Sequence, residues 1–392
     1  MPERIKAEVV IIGGGVIGTA IAYYLAKEGV DTVLVEKRGL LLGTSGACDG
    51  FCFIQTKKPG LMLKLALESI RELNSLCREL RKPIHYRNTG GVILIENDKE
   101  LKLMEEFVER QRKAGLNIEF INVEELSRIC PFITKDIKGA TFSPLDGQIH
   151  PIYFTESLLD GFLRLGGKVL LRSEVTKILT TDSGKDVRGV VIDGNREVHA
   201  DYVICAAGVE SPVIGKMVGV NLPVTPLKGQ LLVTEKLPPF TKTPIADAKY
   251  ILAKLYPEIL VDEMLRKLRT GLILEQTEAG NLLLGSTREP SAIAEVTLDG
   301  VKTITRMVLR YFPGLGRFNI IRAFAGLRPS TPDSYPIIGG SSKIRGFVVA
   351  TGHEGDGIAL AAVTGRLVSE IITKGRATID ISELSPDRFQ TK

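Results

Sequence analysis

Three glycines near the N-terminus constrain the fold of this chain more than any other feature. Gly13, Gly15 and Gly18 form a G-x-G-x-x-G pattern directly after the apolar run AEVVII at residues 7–12. A helix-like segment and a second apolar run, DTVLVE at residues 31–36, follow. Strand, glycine turn, helix and strand in this order are typical of a βαβ unit of about 30 residues. In such a unit the first glycine permits the tight turn, the second lets a pyrophosphate approach the backbone, and the third lets helix and strand pack closely.

An acidic residue stands where this unit would meet a ribose. Glu36 ends the second predicted strand, 18 residues after Gly18. A carboxylate there accepts hydrogen bonds from both ribose hydroxyls and would repel a 2′-phosphate. The positive end of the helix that begins near Val16 and Ile17 would face the phosphates. The combination predicts a dinucleotide site; the alternative is that Glu36 is only a solvated strand end.

The composition is that of a folded protein with about two domains. The chain has 392 residues, of which 44% are hydrophobic and 25% charged. Chains of this length usually divide into domains of roughly 100–200 residues. The net charge of +5 is spread over interleaved acidic and basic residues, so we expect no nucleic-acid partner.

The apolar runs are short throughout the sequence. No stretch of about 18 apolar residues occurs, and the run near the N-terminus ends in glycines, so we expect no membrane span, no secretory leader and a cytoplasmic protein. Asn and Gln together number 15, and Trp is absent. This composition hints at a thermophilic source.

The first βαβ unit does not continue directly into further βαβ repeats, as it would in a simple NAD-dependent dehydrogenase. Other segments intervene before the buried strand ADYVICAAG at residues 200–208. The segment GFVVATGHEGDGIALA at residues 346–361 then adds a strand, a glycine-rich turn and a long helix. The N-terminus of that helix would point backbone donors at an anionic or carbonyl group.

This order predicts an α/β plus α+β fold, with a Rossmann-like nucleotide-binding domain interrupted by a substrate domain that has a mixed or antiparallel sheet. We assign residues 1–83, 146–222 and 320–392 to the nucleotide-binding domain. Residues 84–145 and 223–319 form the predicted substrate-binding domain.

Several further segments resemble the D-amino-acid oxidase superfamily of FAD-dependent amine oxidoreductases, the group with glycine oxidase, sarcosine oxidase and the β-subunits of dye-linked proline dehydrogenases. They follow the family's order and span almost the whole chain. They read VVIIGGGVIGTAIAYYLAKEG, VLVEK, GTSGACDG, DGQIHP, ADYVICAAG, PLKGQLL, FAGLRPSTPDSYPIIGG and GHEGDGIALA. The pattern TSGACDGF is similar in particular to small FAD subunits of heteromeric dehydrogenases for hydroxyproline, opine-type substrates and cyanide-forming glycine oxidation.

The resemblance implies noncovalent FAD as the cofactor. Some sarcosine oxidase-like members attach flavin through a cysteine before the TPD element, but GLRPSTPD at residues 326–333 contains none. The residues expected to contact FAD are Gly13, Gly15, Val16, Ile17, Gly18, Glu36, Lys37, Thr44, Ser45, Gly46, Val175, Ala207, Gly208, Gly352, His353, Gly355, Gly357 and Ile358.

Two of the five cysteines lie in the segment that the resemblance places beside the cofactor. Cys48 and Cys52 have C-x₃-C spacing with no third or fourth ligand nearby, which fits neither zinc nor iron–sulfur sites. We therefore expect no metal. Buried free thiols are the favoured interpretation, and a disulfide would require the thermophile exception.

The resemblance also implies oxidation of a small amino or imino acid, such as proline, hydroxyproline or glycine, by hydride transfer from Cα–H to flavin N5. Arg328 is the candidate for binding the substrate carboxylate, because a guanidinium pairs with a carboxylate bidentately; the alternative is an ion pair with an internal acid such as Asp333. His353 is a candidate for contact with flavin or substrate, or is structural. Gln276 and Arg288 are further candidates, expected to face the flavin from the substrate sheet, in a stretch that lacks the tyrosine found near the substrate carboxylate in glycine oxidase.

The sequence says less about the electron acceptor and the subunit composition than about the cofactor. Residues 236–271 contain a proline-rich loop and a helix-like run, which predicts a lid, a partner-binding face or ordinary packing. We expect an oligomer in which this chain is the catalytic β-type subunit of a dye-linked dehydrogenase, with a second flavin or iron–sulfur subunit as the electron acceptor. The alternatives are a self-contained oxidase that produces hydrogen peroxide and an FAD-binding structural subunit whose partner does the chemistry.

Overall fold

The computed structural model describes residues 4–390, and within this range the chain forms 21 β-strands and ten α-helices. The strands are β1 (Arg4–Lys6), β2 (Val9–Ile12), β3 (Thr32–Glu36), β4 (Phe51–Cys52), β5 (Gly91–Ile95), β6 (Glu119–Ile121), β7 (Gly139–Ser143), β8 (Gly147–Gln148), β9 (Lys168–Leu171), β10 (Val175–Thr180), β11 (Val187–Ile192), β12 (Arg196–His199), β13 (Tyr202–Cys205), β14 (Thr225–Lys236), β15 (Ile245–Asp247), β16 (Ile273–Gln276), β17 (Asn281–Gly285), β18 (Glu289–Pro290), β19 (Ile320–Ser330), β20 (Ile337–Gly340) and β21 (Phe347–Thr351). The helices are α1 (Val16–Lys27), α2 (Leu61–Glu79), α3 (Asp98–Lys113), α4 (Val123–Ile129), α5 (Pro151–Arg164), α6 (Ser211–Lys216), α7 (Ala248–Leu255), α8 (Glu263–Leu268), α9 (Leu298–Tyr311) and α10 (Gly357–Lys374).

A six-stranded sheet forms the centre of the nucleotide-binding part. Its order is β20-β21-β13-β2-β3-β9, and all neighbours are parallel except β20 and β21. Side chains of successive residues on a strand point to opposite faces. Val9 and Ile11 of β2 belong to the core beneath the helices, whereas Val10 and Ile12 belong to the core on the other face. A strand buried on both faces requires a continuous apolar run, which is why AEVVII predicts it. The Rossmann-like fold is confirmed.

Different layers cover the two faces of this sheet. Helices α1, α2, α5 and α10 pack together on one face. The other face is covered by a four-stranded sheet of order β1-β12-β11-β10. Val190 and Val198 of that sheet are fully buried against the apolar side chains of β2 and β3. The central strands are therefore held between helices and a second sheet.

A nine-stranded mixed sheet forms the second part. Eight strands follow the order β18-β14-β17-β16-β15-β5-β7-β6, and β19 pairs with β14. Its pairs are antiparallel except β15 with β5. Val92 and Leu94 of β5 face a separate core that includes α9, whereas Ile93 and Ile95 join the core shared with the nucleotide-binding part. The expected mixed sheet is confirmed.

The structure favours a different boundary for the last segment of the predicted nucleotide-binding domain. Strand β19 (Ile320–Ser330) runs antiparallel to β14 from Thr225 to Thr234, inside the nine-stranded sheet. We therefore propose that this segment begins near residue 331 rather than 320. The other boundaries stay predictions, and residues 1–3 and 391–392 of the assigned ranges lie outside the described residues.

The tight contact between Gly18 of α1 and the glycine turn after β2 leads to a prediction about stability. A Cβ atom at Gly18 of α1 would lie 1.9 Å from the carbonyl oxygen of Gly13, and backbone cannot move away as a flexible side chain can. Gly18→Ala should destabilise the protein by about 2–4 kcal/mol and lower Tm by roughly 5 °C. Gly314→Ala is the matched control, because a Cβ there meets nothing within 4 Å. Equal melting temperatures for the two variants would contradict the packing argument.

Candidate active site

A deep cleft lies between the two sheets and encloses about 1720 Å³, part of it open to solvent. One wall is formed where β2, β3, β13 and β21 end, at residues such as Gly13, Glu36 and Ala207. The carboxyl ends of parallel strands are the usual ligand-binding edge of such a sheet. The opposite wall comes from the nine-stranded sheet and from α7, including Leu231 and Tyr250.

The glycine turn at the start of α1 leaves room for an anion. Gly13 adopts φ +116°, which is the left-handed region that favours glycine. A Cβ atom at Gly15 would contact only the Ser45 hydroxyl, at 3.2 Å. The Val16 N–H donates to that same hydroxyl at 3.0 Å. The backbone at Gly15 and the Ser45 hydroxyl therefore form a cradle for an anion at the positive end of α1. A side chain at residue 15 would fill this cradle.

The carboxylate of Glu36 is held in place at the edge of the cleft. One oxygen accepts a hydrogen bond from Gly14 N at 2.8 Å, and the other accepts from Arg38 N at 2.8 Å. Each carboxylate oxygen can accept a further hydrogen bond, so ribose hydroxyls can bind without loss of this arrangement. Lys37 forms an ion pair with Glu210 beside it.

The C-terminal turn closes the cleft from the other side. Gly352 has φ +74°, and a Cβ there would lie 2.5 Å from the Thr331 methyl carbon. His353 is buried, and its Nε2 lies 3.1 Å from the Thr364 hydroxyl. Burial lowers the pKa of His353 to about 4, so the ring is neutral at physiological pH. Helix α10 begins at Gly357 with its N–H groups at the cleft.

The segment after β3 crosses the cleft and is tied to both sheets. The Thr44 hydroxyl donates to Leu327 O of β19 at 2.5 Å. The Cys48 thiol donates to Ser45 O at 3.4 Å and borders the cleft, while Cys52 is fully buried. Burial raises the pKa of both thiols. Both cysteines are free, so the prediction of free thiols is confirmed, and within residues 4–390 there is no cluster of three or more His, Cys, Asp or Glu side chains suited to a metal ion.

Arg328 lies at the inner end of the cleft, on β19. Its guanidinium donates to Thr287 O at 2.9 Å and to Ser286 Oγ at 3.2 Å. Among the described residues it has no carboxylate within 4.0 Å, and Asp333, the partner considered from the sequence, pairs with Arg388 instead. Burial and the nearby charge of Arg288 lower the pKa of Arg328, although a guanidinium stays protonated. A half-buried cation without an acidic partner suits an anionic ligand.

Arg288 has a different environment from Arg328. It is buried, forms an ion pair with Glu354 and donates to the Tyr250 hydroxyl at 2.9 Å. Although burial opposes it, the charge of Glu354 raises the pKa of Arg288. Arg288 does not border the cleft itself, so it supports the wall behind Tyr250.

All predicted site residues line the cleft except Gly18, Gly46, Gln276 and Arg288. Gly18 serves helix packing, and a Cβ at Gly46 would lie 1.8 Å from Leu41 O within a tight turn. The Gln276 side chain accepts from Phe240 N at 2.7 Å and donates to Pro238 O at 3.0 Å. Its amide therefore holds the loop after β14, and Gln276 does not border the cleft, contrary to the expectation that it faces the flavin.

Sequence reasoning missed several polar residues that border the cleft, among them Asp49 and Tyr250. Tyr250 comes from α7, so a tyrosine does reach the site, but from residues 236–271 and not from the strands around Gln276. Asp49 lies between Cys48 and Cys52 in the sequence. Its position inside a segment predicted to cross the site was the available signal.

Comparison with known proteins places the chain in a family. Residues 8–371 match the family model for FAD dependent oxidoreductase, DAO. The chain belongs to this family. Its cofactor is therefore FAD, and it is an FAD-dependent oxidoreductase; that FAD binds noncovalently stays a prediction.

Three relatives show the range of the similarity. Glycine oxidase of Bacillus subtilis is 28% identical over 93% of this chain and 92% of its own length. Hydrogen cyanide synthase subunit HcnC of Pseudomonas aeruginosa is 26% identical over 98% of this chain and 96% of its own. The crystal structure of L-proline dehydrogenase from P. horikoshii superposes with a TM-score of 0.87 at 25% identity, covering 99% of this chain and 98% of that one.

The residues of the cleft fit FAD. The cradle at Gly15 suits the pyrophosphate, the fixed Glu36 carboxylate suits the ribose, and the N-terminus of α10 supplies donors for a carbonyl-bearing ring.

None of the helices within residues 4–390 is long and apolar enough to cross a membrane.

Filling the cradle should abolish cofactor binding while the fold survives. In Gly15→Val the new side chain would occupy the position of the pyrophosphate, and the only close atom is the Ser45 hydroxyl. We expect purified Gly15→Val to lack flavin absorbance and to keep its far-ultraviolet circular dichroism. Gly340→Val is the control, because a Cβ at this exposed glycine of β20 meets nothing within 4 Å. Full flavin content in Gly15→Val would contradict the assignment.

Proposed function

We propose that this chain oxidises a small α-amino or α-imino acid, such as proline, hydroxyproline or glycine, with FAD as the electron acceptor. The observation that carries the proposal is Arg328, a half-buried guanidinium that borders the cleft and lacks a carboxylate partner among the described residues. Its planar donors match a substrate carboxylate. Neighbouring Arg288 already has Glu354 as its partner, so of these two arginines Arg328 is the one available to an anionic ligand.

Other residues of the cleft supply apolar and aromatic surface for the substrate. Phe51 and Leu231 supply apolar surface, and Tyr250 brings an aromatic ring whose hydroxyl is fixed by Arg288. Bound FAD supplies a two-electron oxidant for the carbon next to the nitrogen. The role of the chain is to fix the substrate carboxylate and to enclose the reacting carbon in an apolar, water-poor space.

We further propose that electrons pass to a partner subunit and not to oxygen. The name of the Pseudomonas aeruginosa relative describes it as a subunit, and the P. horikoshii structure is of a dehydrogenase. A self-contained oxidase is the second candidate, because the Bacillus subtilis relative is a glycine oxidase. Oxygen uptake and peroxide formation by the isolated chain with its substrate would favour the oxidase, whereas reduction of a dye without oxygen uptake would favour the dehydrogenase.

The first test is anaerobic loss of visible flavin absorbance. The purified holoprotein is mixed with D- and L-proline, hydroxyprolines, sarcosine and glycine, and we expect rapid loss with at least one of them. No loss with any compound, with FAD bound, would overturn the proposal for the isolated chain and favour a structural FAD subunit.

The carboxylate role of Arg328 predicts a specific kinetic defect. Arg328→Met keeps the apolar stem but removes the charge, so KM for the active amino acid should rise on the order of 100-fold while FAD stays bound. Arg317→Met, at an exposed arginine, is the control. An unchanged KM in Arg328→Met would exclude the role.

A further inference from the structure

Asp49 borders the same cleft as Arg328 but has no role in the proposed function so far. It lies in the segment between β3 and β4, and one of its carboxylate oxygens accepts a hydrogen bond from Phe51 N at 3.1 Å. This bond fixes the orientation of the side chain and leaves the other oxygen available. A carboxylate that borders a largely apolar cleft needs a cationic or donor partner.

A second carboxyl group lies directly behind Asp49. Glu275 of β16 is 4% exposed, and one of its oxygens accepts from Gly50 N at 2.9 Å. Its other oxygen is buried and has no hydrogen-bond partner. Burial, together with the negative charge of Asp49, raises the pKa of Glu275 to about 8. Glu275 is therefore mostly protonated at neutral pH, so its carboxyl group adds little charge behind Asp49.

Opposite charges thus border the cleft together. Asp49 is close enough to Arg328 for its charge to raise the pKa of the guanidinium, against the lowering caused by burial and by Arg288. The two groups are not within 4.0 Å of each other, so they do not neutralise one another as a direct ion pair. An α-amino acid carries a carboxylate and an ammonium group, which match this arrangement of charges.

We propose that Asp49 binds the ammonium group of the amino acid whose carboxylate Arg328 binds, and that it accepts a proton from this group before oxidation. This inference rests on the proposed function and names the residue that recognises the nitrogen. In the step, the N–H bond of the substrate ammonium breaks, its electron pair stays on nitrogen, and the proton forms an O–H bond on the Asp49 carboxylate. The products are a neutral amine, which can be oxidised, and a neutral Asp49.

Glu275 acts as a positioning residue for Asp49. Its hydrogen bond to Gly50 N fixes the backbone next to Asp49. The charged or titratable groups that face Glu275 are Asp49, Arg87 and the thiols of Cys48 and Cys52. Because the positive charge of Arg87 only partly opposes the effects of burial and Asp49, Glu275 does not compete with Asp49 for the substrate at neutral pH.

Binding of two fragments of proline tests the proposal without turnover. Pyrrolidine carries the ammonium group alone, and 2-tetrahydrofuroate carries the carboxylate alone; each is titrated into oxidised holoprotein under anaerobic conditions by calorimetry. Asp49→Asn should weaken pyrrolidine binding roughly 10- to 100-fold and leave 2-tetrahydrofuroate binding equal or tighter. Arg328→Met should do the reverse. Asp182→Asn, an exposed acid in the hairpin between β10 and β11, is the control and should change neither.

The variants separate a binding role from a structural one. Asparagine keeps an oxygen for Phe51 N, so Asp49→Asn should retain flavin and melting temperature, and Asp49→Glu should recover part of the pyrrolidine affinity. Equal pyrrolidine affinity in Asp49→Asn and wild type would overturn the proposal. Loss of both fragments in Asp49→Asn, with no recovery in Asp49→Glu, would also overturn it and assign Asp49 a structural role.

A pH titration tests the role of Glu275. In the wild type, pyrrolidine affinity should increase as the pH rises through about 8, because Glu275 then adds a second negative charge behind Asp49. In Glu275→Gln this increase should disappear while affinity at pH 7 changes little. The same increase in Glu275→Gln would overturn the role of Glu275.

The binding experiment also separates this inference from the proposed function. If no amino acid reduces the flavin but the two fragments respond to the variants as expected, the charge assignment holds and the proposed reaction fails. If an amino acid reduces the flavin and Asp49→Asn binds pyrrolidine normally, the proposed reaction holds and the assignment of Asp49 fails.

Discussion

The close packing of α1 against β2 determines where everything else in the active site lies. Gly18 sits so near the backbone of Gly13 that no other residue fits without displacement. This contact places the start of α1 next to the end of β2, where the N–H groups of its first turn face the cleft. The neighbouring strands then bring Glu36 and Ala207 to the same edge. The cofactor site is therefore a consequence of how one helix meets one strand.

The local part of the site could be predicted from the sequence because its geometry is set within one βαβ unit. Gly13, Gly15 and Glu36 are positioned by a turn, a helix and a strand that follow one another directly. The substrate wall is different, because the strands of the mixed sheet that form it are buried on both faces. Glu275 and Gln276 are neighbours on β16 and both are buried, so hydropathy gives no sign of which one faces the cleft. Sequence reasoning chose Gln276, whereas its neighbour lies behind the cleft wall.

The sequence analysis also did not predict contacts between segments that are far apart along the chain. The sequence left an internal acid such as Asp333 as the alternative partner of Arg328, and only the fold shows that Asp333 pairs with Arg388. Tyr250 reaches the site because α7 returns to the cleft from a stretch that reads as an ordinary amphipathic helix. The free energies of such contacts depend on which side chains are buried. In a sheet covered on both faces, the sequence periodicity does not show which face a side chain is on.

Helix α7 is joined to the C-terminal turn by buried charges. Lys254 bonds Asp356 at 2.7 Å, Lys57 bonds the same carboxylate at 2.8 Å, and Arg288 links Tyr250 to Glu354. Removing one partner of a buried ion pair leaves an uncompensated charge, at a cost of about 3–5 kcal/mol. Lifting α7 away from the turn would break the Lys254–Asp356 ion pair and the hydrogen bond between Arg288 and Tyr250 together. Opening the cleft by moving α7 is therefore costly, which favours exchange of substrate and product with this helix in place.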